Sequence, residues 1–354
     1  MPSPEPGVRP FLPSVLFEVT TRCNLDCLYC YNVFKRPGGG TPVAGSHALA
    51  RATLDRLFEV ARVRRVTMSG GEPLLAEGFV ELVRHCRERG RRVLITSNGN
   101  AGDEHTYREL SALGIETWVL PLHSADPAVH DAMTQRPGSH ARSLAALAQL
   151  RTLGDEVTPI MVITKLNVND VERTLLFLKE RGFRRIIANR FNYGGRGIIE
   201  ADRLALTGAE IRAVFGRIND LTERCGLWVS ANICTPHCVL DPRDYPRVGF
   251  GVCDLNLSNR PITLEVNGDV RFCNHSPEIM GNLFRDDLKA ILSTSYARRW
   301  EISVPERCRD CDRWEACAGG CRAAAEQLGH DMREIDPIAW SDPRTACRTA
   351  VQNG

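Results

Sequence analysis

The sequence of 354 residues lacks the features that define several large classes of protein. It has no apolar run close to the roughly 20 residues that a membrane helix needs. Its first residues, MPSPEPGVRPFLPS, lack the basic start, apolar stretch and small-residue cleavage site of a secretory signal. The formal net charge of +2 gives no electrostatic footprint for nucleic acid or an anionic membrane. We therefore expect a cytoplasmic protein that binds neither nucleic acid nor a membrane.

Cysteine, by contrast, is abundant for a chain without an export signal. The sequence has 14 cysteines, and cytosolic thiols stay reduced, which disfavours a disulfide framework. Three cysteines lie together near the start, Cys86 and Cys225 stand alone on helix-like segments, and the others lie beyond residue 230. This distribution predicts metal binding at both ends of the chain.

Residues 15 to about 190 alternate short β-rich runs with helix-like stretches, the pattern of βα units around a parallel sheet. Right-handed crossovers place successive strands side by side, so six units predict an α/β fold with a partial (β/α)6 TIM-like barrel. The predicted strands are Val15 to Thr20, Arg65 to Ser69, Arg92 to Thr96, Glu116 to Pro121, Val157 to Ile163 and Arg185 to Asn189.

A further helix is predicted from Gly208 to Arg224, and beyond it the periodicity fades while Cys, Gly and Pro increase. We therefore expect an N-terminal lead-in at 1–14, the partial barrel at 15–229 and a loop-rich C-terminal domain at 230–354.

The first cysteine group places three thiols, Cys23, Cys27 and Cys30, on one tight loop. Thiolates favour iron–sulfur clusters, and three of them leave one iron of a four-iron cluster open to the amine and carboxylate of a substrate. A zinc site would usually need a fourth ligand, and no histidine stands at a useful spacing.

This C-x3-C-x2-C loop, with Tyr29 before its last cysteine, resembles the defining motif of the radical S-adenosylmethionine (SAM) superfamily. The resemblance implies a [4Fe-4S] cluster on Cys23, Cys27 and Cys30. It also implies that the reduced cluster cleaves SAM to a 5′-deoxyadenosyl radical, which abstracts hydrogen from a substrate. The chain is thus expected to be a radical SAM oxidoreductase.

Residues after the next predicted strands are similar to the SAM-binding segments of this family. Ser69, Gly70, Gly71, Glu72 and Pro73 resemble the motif for the SAM amine, in which glycines let the backbone approach a ligand and Glu72 could take an ammonium. The alternative interpretation is a glycine turn before a helix.

Two later strand ends correspond to the segments that hold the methionyl and ribose parts of SAM. They carry Ser97 and Asn98 after the third strand, and His123 and Ser124 after the fourth. Asn98 with Gly99 is also a common turn dipeptide, and His123 could be a structural histidine.

Seven cysteines in the C-terminal third resemble the SPASM domain, an auxiliary-cluster extension found in ribosomal-peptide maturases and anaerobic sulfatase-maturating enzymes. The resemblance implies two further [4Fe-4S] clusters, three in all. It assigns Cys308, Cys311, Cys317 and Cys347 to a distal cluster, and Cys253, Cys273 and Cys321 to a proximal one.

The proximal set therefore lacks a fourth thiol. Either Cys234 or Cys238 supplies it, or one iron stays open for substrate, an exogenous thiol or water. Cys234 and Cys238 could also be ordinary, partly buried thiols. Two zinc knuckles are the other interpretation of the seven-cysteine block.

His275 follows Cys273 closely, at a place where some relatives have a general base. Its ordinary pKa suits proton transfer near neutral pH, while a capping or structural role is the alternative.

The resemblance implies that the enzyme modifies a residue of a ribosomally synthesised peptide, by a crosslink or another oxidation, with the auxiliary clusters taking the electron. Only 22 residues precede Cys23, so we expect either a separate leader-binding protein or a substrate that is short or not a peptide. We also expect a flavodoxin- or ferredoxin-type reductant. The alternatives are an oxidase, epimerase or dehydratase of a sugar, aminoglycoside or nucleoside, a sulfatase-maturating enzyme, and a non-enzymatic electron carrier. An epimerase would need a hydrogen donor, which Cys234 or Cys238 could provide if neither ligates iron.

Overall fold

The computed structural model describes residues 9–38, 45–257, 259–340 and 342. The strands are β1 Phe11–Glu18, β2 Arg62–Ser69, β3 Arg92–Thr96, β4 Thr117–Pro121, β5 Val157–Ile163, β6 Arg185–Arg190, β7 Trp228–Ala231, β8 Val248–Phe250, β9 Ile262–Glu265, β10 Asp269–Arg271 and β11 Ile279–Asn282. The helices are α1 His47–Val60, α2 Phe79–Glu88, α3 Glu104–Ala112, α4 Pro127–Thr134, α5 Ser139–Thr152, α6 Val171–Glu180, α7 Ala201–Leu204, α8 Gly208–Cys225, α9 Leu288–Leu292, α10 Ser295–Ile302, α11 Trp314–Cys317 and α12 Arg322–Gln327.

All these strands belong to one open sheet in the order β11-β10-β9-β1-β2-β3-β4-β5-β6-β7-β8. Strands β1 to β8 are parallel, and β9 adds a parallel pairing to the other edge of β1. Strands β10 and β11 then follow in antiparallel pairings. The sheet does not close, so the predicted α/β fold with a partial barrel is confirmed.

The side-chain pattern of β5 shows how the sheet separates core from cavity. Buried and half-buried residues alternate along Val157–Ile163, since successive side chains of a strand point to opposite faces. Met161 and Ile163 are fully buried in the hydrophobic core, while Ile160 and Val162 line an open cavity. Alternation within one strand thus supplies one wall of the candidate site.

The six predicted strands and the predicted helix before residue 230 are confirmed, with shifts of a few residues at their ends. β1 begins at Phe11, inside the predicted lead-in. The predicted boundary near 230 falls within β7, and strands from both sides of it join the same sheet. Among the described residues, no helix is long and apolar enough to cross a membrane.

Candidate active site and auxiliary cluster sites

An open cavity of about 940 Å³, solvent included, lies where β1 to β5 end. In a parallel sheet the carboxyl ends of the strands share one edge, and the residues after them therefore converge there. Cys23, Cys27 and Cys30 all line this cavity. The predicted SAM-site residues that also line it are Tyr29, Ser69, Gly70, Gly71, Ser97 and Asn98.

Backbone hydrogen bonds fix the loop of these three cysteines. The Leu28 amide donates to the Met133 carbonyl at 3.0 Å, which holds the loop against the end of α4. Burial and the neighbouring thiols raise the pKa of Cys27, and burial raises that of Cys30 to about 11. Three partly buried thiols facing one cavity need a cationic partner to become thiolates, and an iron–sulfur cluster is such a partner.

A short hydrogen-bond chain reaches Cys27 from β5. The Val162 amide donates to His123 Nδ1 at 3.2 Å, so the ring proton lies on Nε2 and points to the Tyr29 hydroxyl. The Tyr29 hydroxyl donates in turn to the Cys27 thiol. Burial, with the nearby His130, holds the pKa of His123 well below its ordinary value. His123 is therefore neutral, and it fixes the direction of the Tyr29 hydroxyl.

Gly70 and Gly71 approach the backbone of the cysteine loop. The Gly71 amide donates to the Thr20 carbonyl and the Glu72 amide to the Arg22 carbonyl, both at 2.7 Å. A Cβ on Gly71 would lie 2.2 Å from the Arg22 carbonyl oxygen. Glycine at this position thus allows the turn after β2 to lie against the chain that leads into Cys23.

Glu72 is fully buried and is not among the residues that line the cavity, so its contact with SAM stays a prediction. Its Oε2 accepts from the Asn98 amide at 2.6 Å, and its Oε1 from the Ser97 hydroxyl at 2.8 Å. Burial raises the pKa of Glu72 to about 7. Its carboxylate thus positions the end of β3, and Asn98 in turn donates to Cys23 Sγ at 3.8 Å.

Two other predicted SAM-site residues also lie outside the cavity lining. Pro73 is buried at the start of a 3-10 turn. The buried Ser124 hydroxyl donates to Asp170, while the preceding His123 does reach the cavity.

The sequence did not identify several other residues of the cavity. Ile160 and Val162 alternate with core residues along β5, which could have been read from the strand pattern. The other residues reach the cavity because the cysteine loop and the strand ends fold around it. They are Leu25, Tyr31, Asn32, Phe34, Lys35, Thr96, Val119 and Pro121.

The predicted proximal cysteines come together in the C-terminal part. Cys273 interacts electrostatically with Cys253 and with Cys321. Arg260 donates to Cys253 Sγ at 3.6 Å and Asn192 to Cys321 Sγ at 3.2 Å. Hydrogen-bond donors and a cation around thiols favour the anionic sulfur that a cluster needs.

Three predicted distal cysteines, Cys308, Cys311 and Cys317, line a separate cavity of about 620 Å³, solvent included. The fourth, Cys347, lies outside the described residues, and its role stays a prediction. Within the described chain, no three Cys, His, Asp or Glu side chains are arranged to hold one metal ion. A four-iron cluster takes one thiolate at each iron, which spreads its ligands apart.

His275 packs between the two parts of the molecule and does not line the SAM-site cavity. Its ring stacks on Tyr31 with centroids 3.8 Å apart, and its Nδ1 accepts from Asn192 at 3.0 Å. Burial, with Arg190 and Arg271 nearby, lowers its pKa to about 3. The stacked, hydrogen-bonded ring agrees with the structural alternative, and the role of His275 as a general base stays a prediction.

The chain matches two family models. Residues 17–178 match the Radical SAM superfamily, and residues 253–312 match the iron–sulfur cluster-binding domain SPASM. Cys23, Cys27 and Cys30 lie in the first matched range, and Cys253, Cys273, Cys308 and Cys311 lie in the second.

Relatives and solved structures resemble the chain over nearly its whole length. The PqqA peptide cyclase of Xanthomonas campestris pv. campestris is 28% identical over 340 residues, covering 94% of this chain and 88% of that protein. Streptococcus suis SuiB bound to its precursor peptide SuiA has a TM-score of 0.71 at 16% identity, over 93% of this chain and 76% of that one. The structure of anSMEcpe with AdoMet and the Kp18Cys peptide has a TM-score of 0.70 at 18% identity, over 96% of this chain and 95% of that one.

The cavity of thiols at the strand ends, the C-terminal cysteine groups and both family matches lead to one assignment. The chain contains a radical SAM domain at residues 17–178 and a SPASM iron–sulfur cluster-binding domain at residues 253–312.

Proposed function

We propose that the protein modifies a residue of a ribosomally synthesised peptide by SAM-dependent hydrogen abstraction, forming a crosslink or another oxidised product. The observation that carries this is the meeting of Cys23, Cys27 and Cys30 with the turns at Gly70–Gly71 and Ser97–Asn98 around one cavity.

The chain's own residues would hold the groups of this reaction. Cys23, Cys27 and Cys30 would bind a [4Fe-4S] cluster, which when reduced supplies the electron that cleaves SAM. The turn at Gly70–Gly71 and the end of β3 would orient SAM, with Glu72 fixing that end from below. Val119, Ile160 and Val162 give the cavity apolar walls, which limit the access of water to a reactive intermediate.

Relatives support a peptide as the substrate. The sequence relatives include a PqqA peptide cyclase, and two solved structures of similar fold contain bound peptides. We also propose three four-iron clusters, a separate leader-binding protein and a flavodoxin- or ferredoxin-type reductant. The auxiliary clusters at the SPASM cysteines would accept the electron released when a substrate radical is oxidised.

The test combines the anaerobically reconstituted full chain, SAM, reductant and full-length precursor peptides encoded beside its gene. A candidate leader-binding protein is added or left out. The expected result is a peptide that has lost hydrogen atoms by mass spectrometry, together with 5′-deoxyadenosine. Deuterium placed at the modified residue should appear in the 5′-deoxyadenosine.

The control is the variant with Cys23, Cys27 and Cys30 changed to Ala, which should yield neither product. The peptides could instead stay unchanged while deuterium is transferred from a labelled sugar, aminoglycoside or nucleoside. That result would mean that the substrate is a small molecule and not a peptide.

A further inference from the structure

The segment Cys234-Thr-Pro-His-Cys238, between β7 and β8, lies against the Cys317-x3-Cys321 segment of the SPASM domain. Gly320 has a φ of +73°, and a Cβ there would lie 2.5 Å from Pro236 Cδ. The His237 amide donates to Cys317 Sγ at 3.3 Å. Two C-x3-C segments are thus packed together at Pro236 and Gly320.

Buried hydrogen bonds hold the first half of this segment in place. Arg190 donates to the Cys234 carbonyl at 2.7 Å and to the Thr235 hydroxyl at 2.9 Å. Arg190 also pairs with the fully buried Asp336, whose carboxylate accepts from the Cys321 amide at 2.9 Å. One ion pair therefore ties Cys234 to Cys321.

The Cys234 thiol faces the proximal cysteines. It hydrogen-bonds to Cys253 and interacts electrostatically with Cys321. Arg260 lies 3.9 Å from the Phe272 ring centroid, and its positive charge acts on Cys234, Cys253 and Cys273. Four thiols thus meet at the proximal site, where the SPASM template alone provides three.

Cys238 faces the opposite way. It lines the cavity of about 620 Å³ together with Cys308, Cys311 and Cys317, and it interacts electrostatically with Cys308. The same cavity contains Arg313 and Trp314. Four thiols therefore meet at the distal site as well, within the described chain.

We propose that the Cys234-x3-Cys238 segment supplies one thiolate to each auxiliary cluster. Cys234 completes the proximal set of Cys253, Cys273 and Cys321, and Cys238 completes the distal set of Cys308, Cys311 and Cys317. Cys317 and Cys321 are divided between the clusters in the same way, so each C-x3-C segment links both sites.

The assignment of these ligands rests on the proposed function and limits how the auxiliary clusters can act in it. Each auxiliary cluster has four cysteine ligands, and neither keeps an iron open for substrate, exogenous thiol or water. Substrate oxidation would then proceed by electron transfer without an iron–substrate bond. Cys234 and Cys238 would not be hydrogen donors.

The test measures metallation without SAM or peptide, so it is independent of whether the proposed reaction occurs. The parent protein is the full chain with Cys23, Cys27 and Cys30 changed to Ala, which should hold about eight irons in two auxiliary clusters. Cys234→Ala, Cys238→Ala and Cys347→Ala are made in it. Cys225→Ala, at the end of α8, is the matched control. Iron, sulfide and EPR spectra are recorded before and after mild oxidation.

We expect Cys234→Ala and Cys238→Ala each to affect one cluster, either through loss of about four irons or through a three-iron EPR signal after oxidation, since an iron without a thiolate is lost first. Cys225→Ala and Cys347→Ala should match the parent. If the alanine variants fail to fold, Cys234→Ser and Cys238→Ser take their place. These variants keep an oxygen ligand and should retain the iron with a shifted EPR spectrum.

Two intact parent-like clusters in Cys234→Ala would overturn the proximal assignment. A distal cluster that is unaffected in Cys238→Ala but damaged in Cys347→Ala would overturn the distal one. Either result would restore the division of ligands implied by the SPASM resemblance.

Discussion

At the scale of single residues, the Tyr29 hydroxyl connects a buried histidine to the Cys27 thiol, which we propose as a cluster ligand. His123 receives the Val162 amide on Nδ1 and directs Nε2–H to the Tyr29 oxygen, which leaves the tyrosine proton for Cys27. Hydrogen bonds to sulfur favour the more negative, reduced state of an iron–sulfur cluster. The aromatic residue before Cys30 thus has an electrostatic role in addition to packing.

Tyr29→Phe should shift the midpoint potential of the SAM cluster to a more negative value. The loss of one hydrogen bond, about 1 kcal/mol, corresponds to roughly 40 mV for one electron. Tyr31→Phe is the matched control, because the Tyr31 hydroxyl accepts from Asn274. An EPR-monitored redox titration measures the midpoint potential in both variants. An unchanged potential in Tyr29→Phe would contradict the role given to the Tyr29 hydroxyl.

Glu72 should make the stability of the protein depend on pH. Burial raises its folded pKa to about 7, above the ordinary value of 4.5, so the folded state holds this proton more tightly than the unfolded state does. The stabilisation is complete below about pH 4.5 and is lost as the pH rises through about 7. Wild type should lose up to about 3 kcal/mol relative to Glu72→Gln across this window.

Thermal unfolding of both proteins from pH 5 to 8 measures the difference. A constant difference would mean that Glu72 ionises at its ordinary pKa.

The sequence predicted the residue types of the site better than their individual contacts. Tyr29, Gly70, Gly71, Ser97 and Asn98 reach the cavity as expected. The roles of other predicted residues depended on burial and on long-range partners, which no local motif records. Glu72 turns towards the end of β3, Ser124 towards Asp170, and His275 stacks on Tyr31.

At the scale of elements, the turn after β2 holds the cysteine loop in position. Two backbone hydrogen bonds of 2.7 Å join this turn to Thr20 and Arg22. Gly70, at a φ of +133°, and Gly71 leave no room for a side chain, because a Cβ on either would lie 2.2 Å from a carbonyl oxygen.

Gly71→Ala should therefore displace the cysteine loop and release the SAM cluster alone. We expect the iron content to fall from about twelve to about eight per chain, with the auxiliary EPR signals retained. Gly216→Ala, on α8 with nothing within 4 Å of its added Cβ, should keep all the iron. Full iron content in Gly71→Ala would show that the loop tolerates the displacement.

Strands β1 to β6 could be predicted because each has a β-rich run of five to eight residues followed by a helix-like segment. Strands β7 to β11 have only three or four residues each, too few for a clear alternation, and β9 pairs with β1 across most of the chain. Their positions depend on tertiary pairing, which the local pattern does not contain.

At the scale of the whole molecule, buried Arg271 joins the barrel to the SPASM domain. It pairs with Glu18 at the end of β1, 253 positions away, at 2.5 Å and with Glu265 at 2.7 Å. It also donates to the carbonyls of Cys273 and Ser276. One guanidinium thereby connects the strand that precedes Cys23 to the loop that contains Cys273.

Arg271→Met should destabilise the protein by about 3–5 kcal/mol, because it leaves the buried Glu18 without its cation. It should also change the EPR spectrum of the proximal cluster. Arg285→Met, in an exposed pair at 3.8 Å, should cost less than about 0.5 kcal/mol. Anaerobic thermal unfolding and EPR compare the two variants, and equal stabilities would contradict the proposed link.

We propose that this chain holds one SAM-cleaving cluster and two auxiliary clusters. The most direct measurement is iron and sulfide content with SAM cleavage for the reconstituted wild type and for the variant in which Cys23, Cys27 and Cys30 are Ala. We expect about twelve irons in wild type, about eight in the variant, and 5′-deoxyadenosine from wild type only. About four irons in wild type, or no 5′-deoxyadenosine under strong reductant, would contradict this proposal.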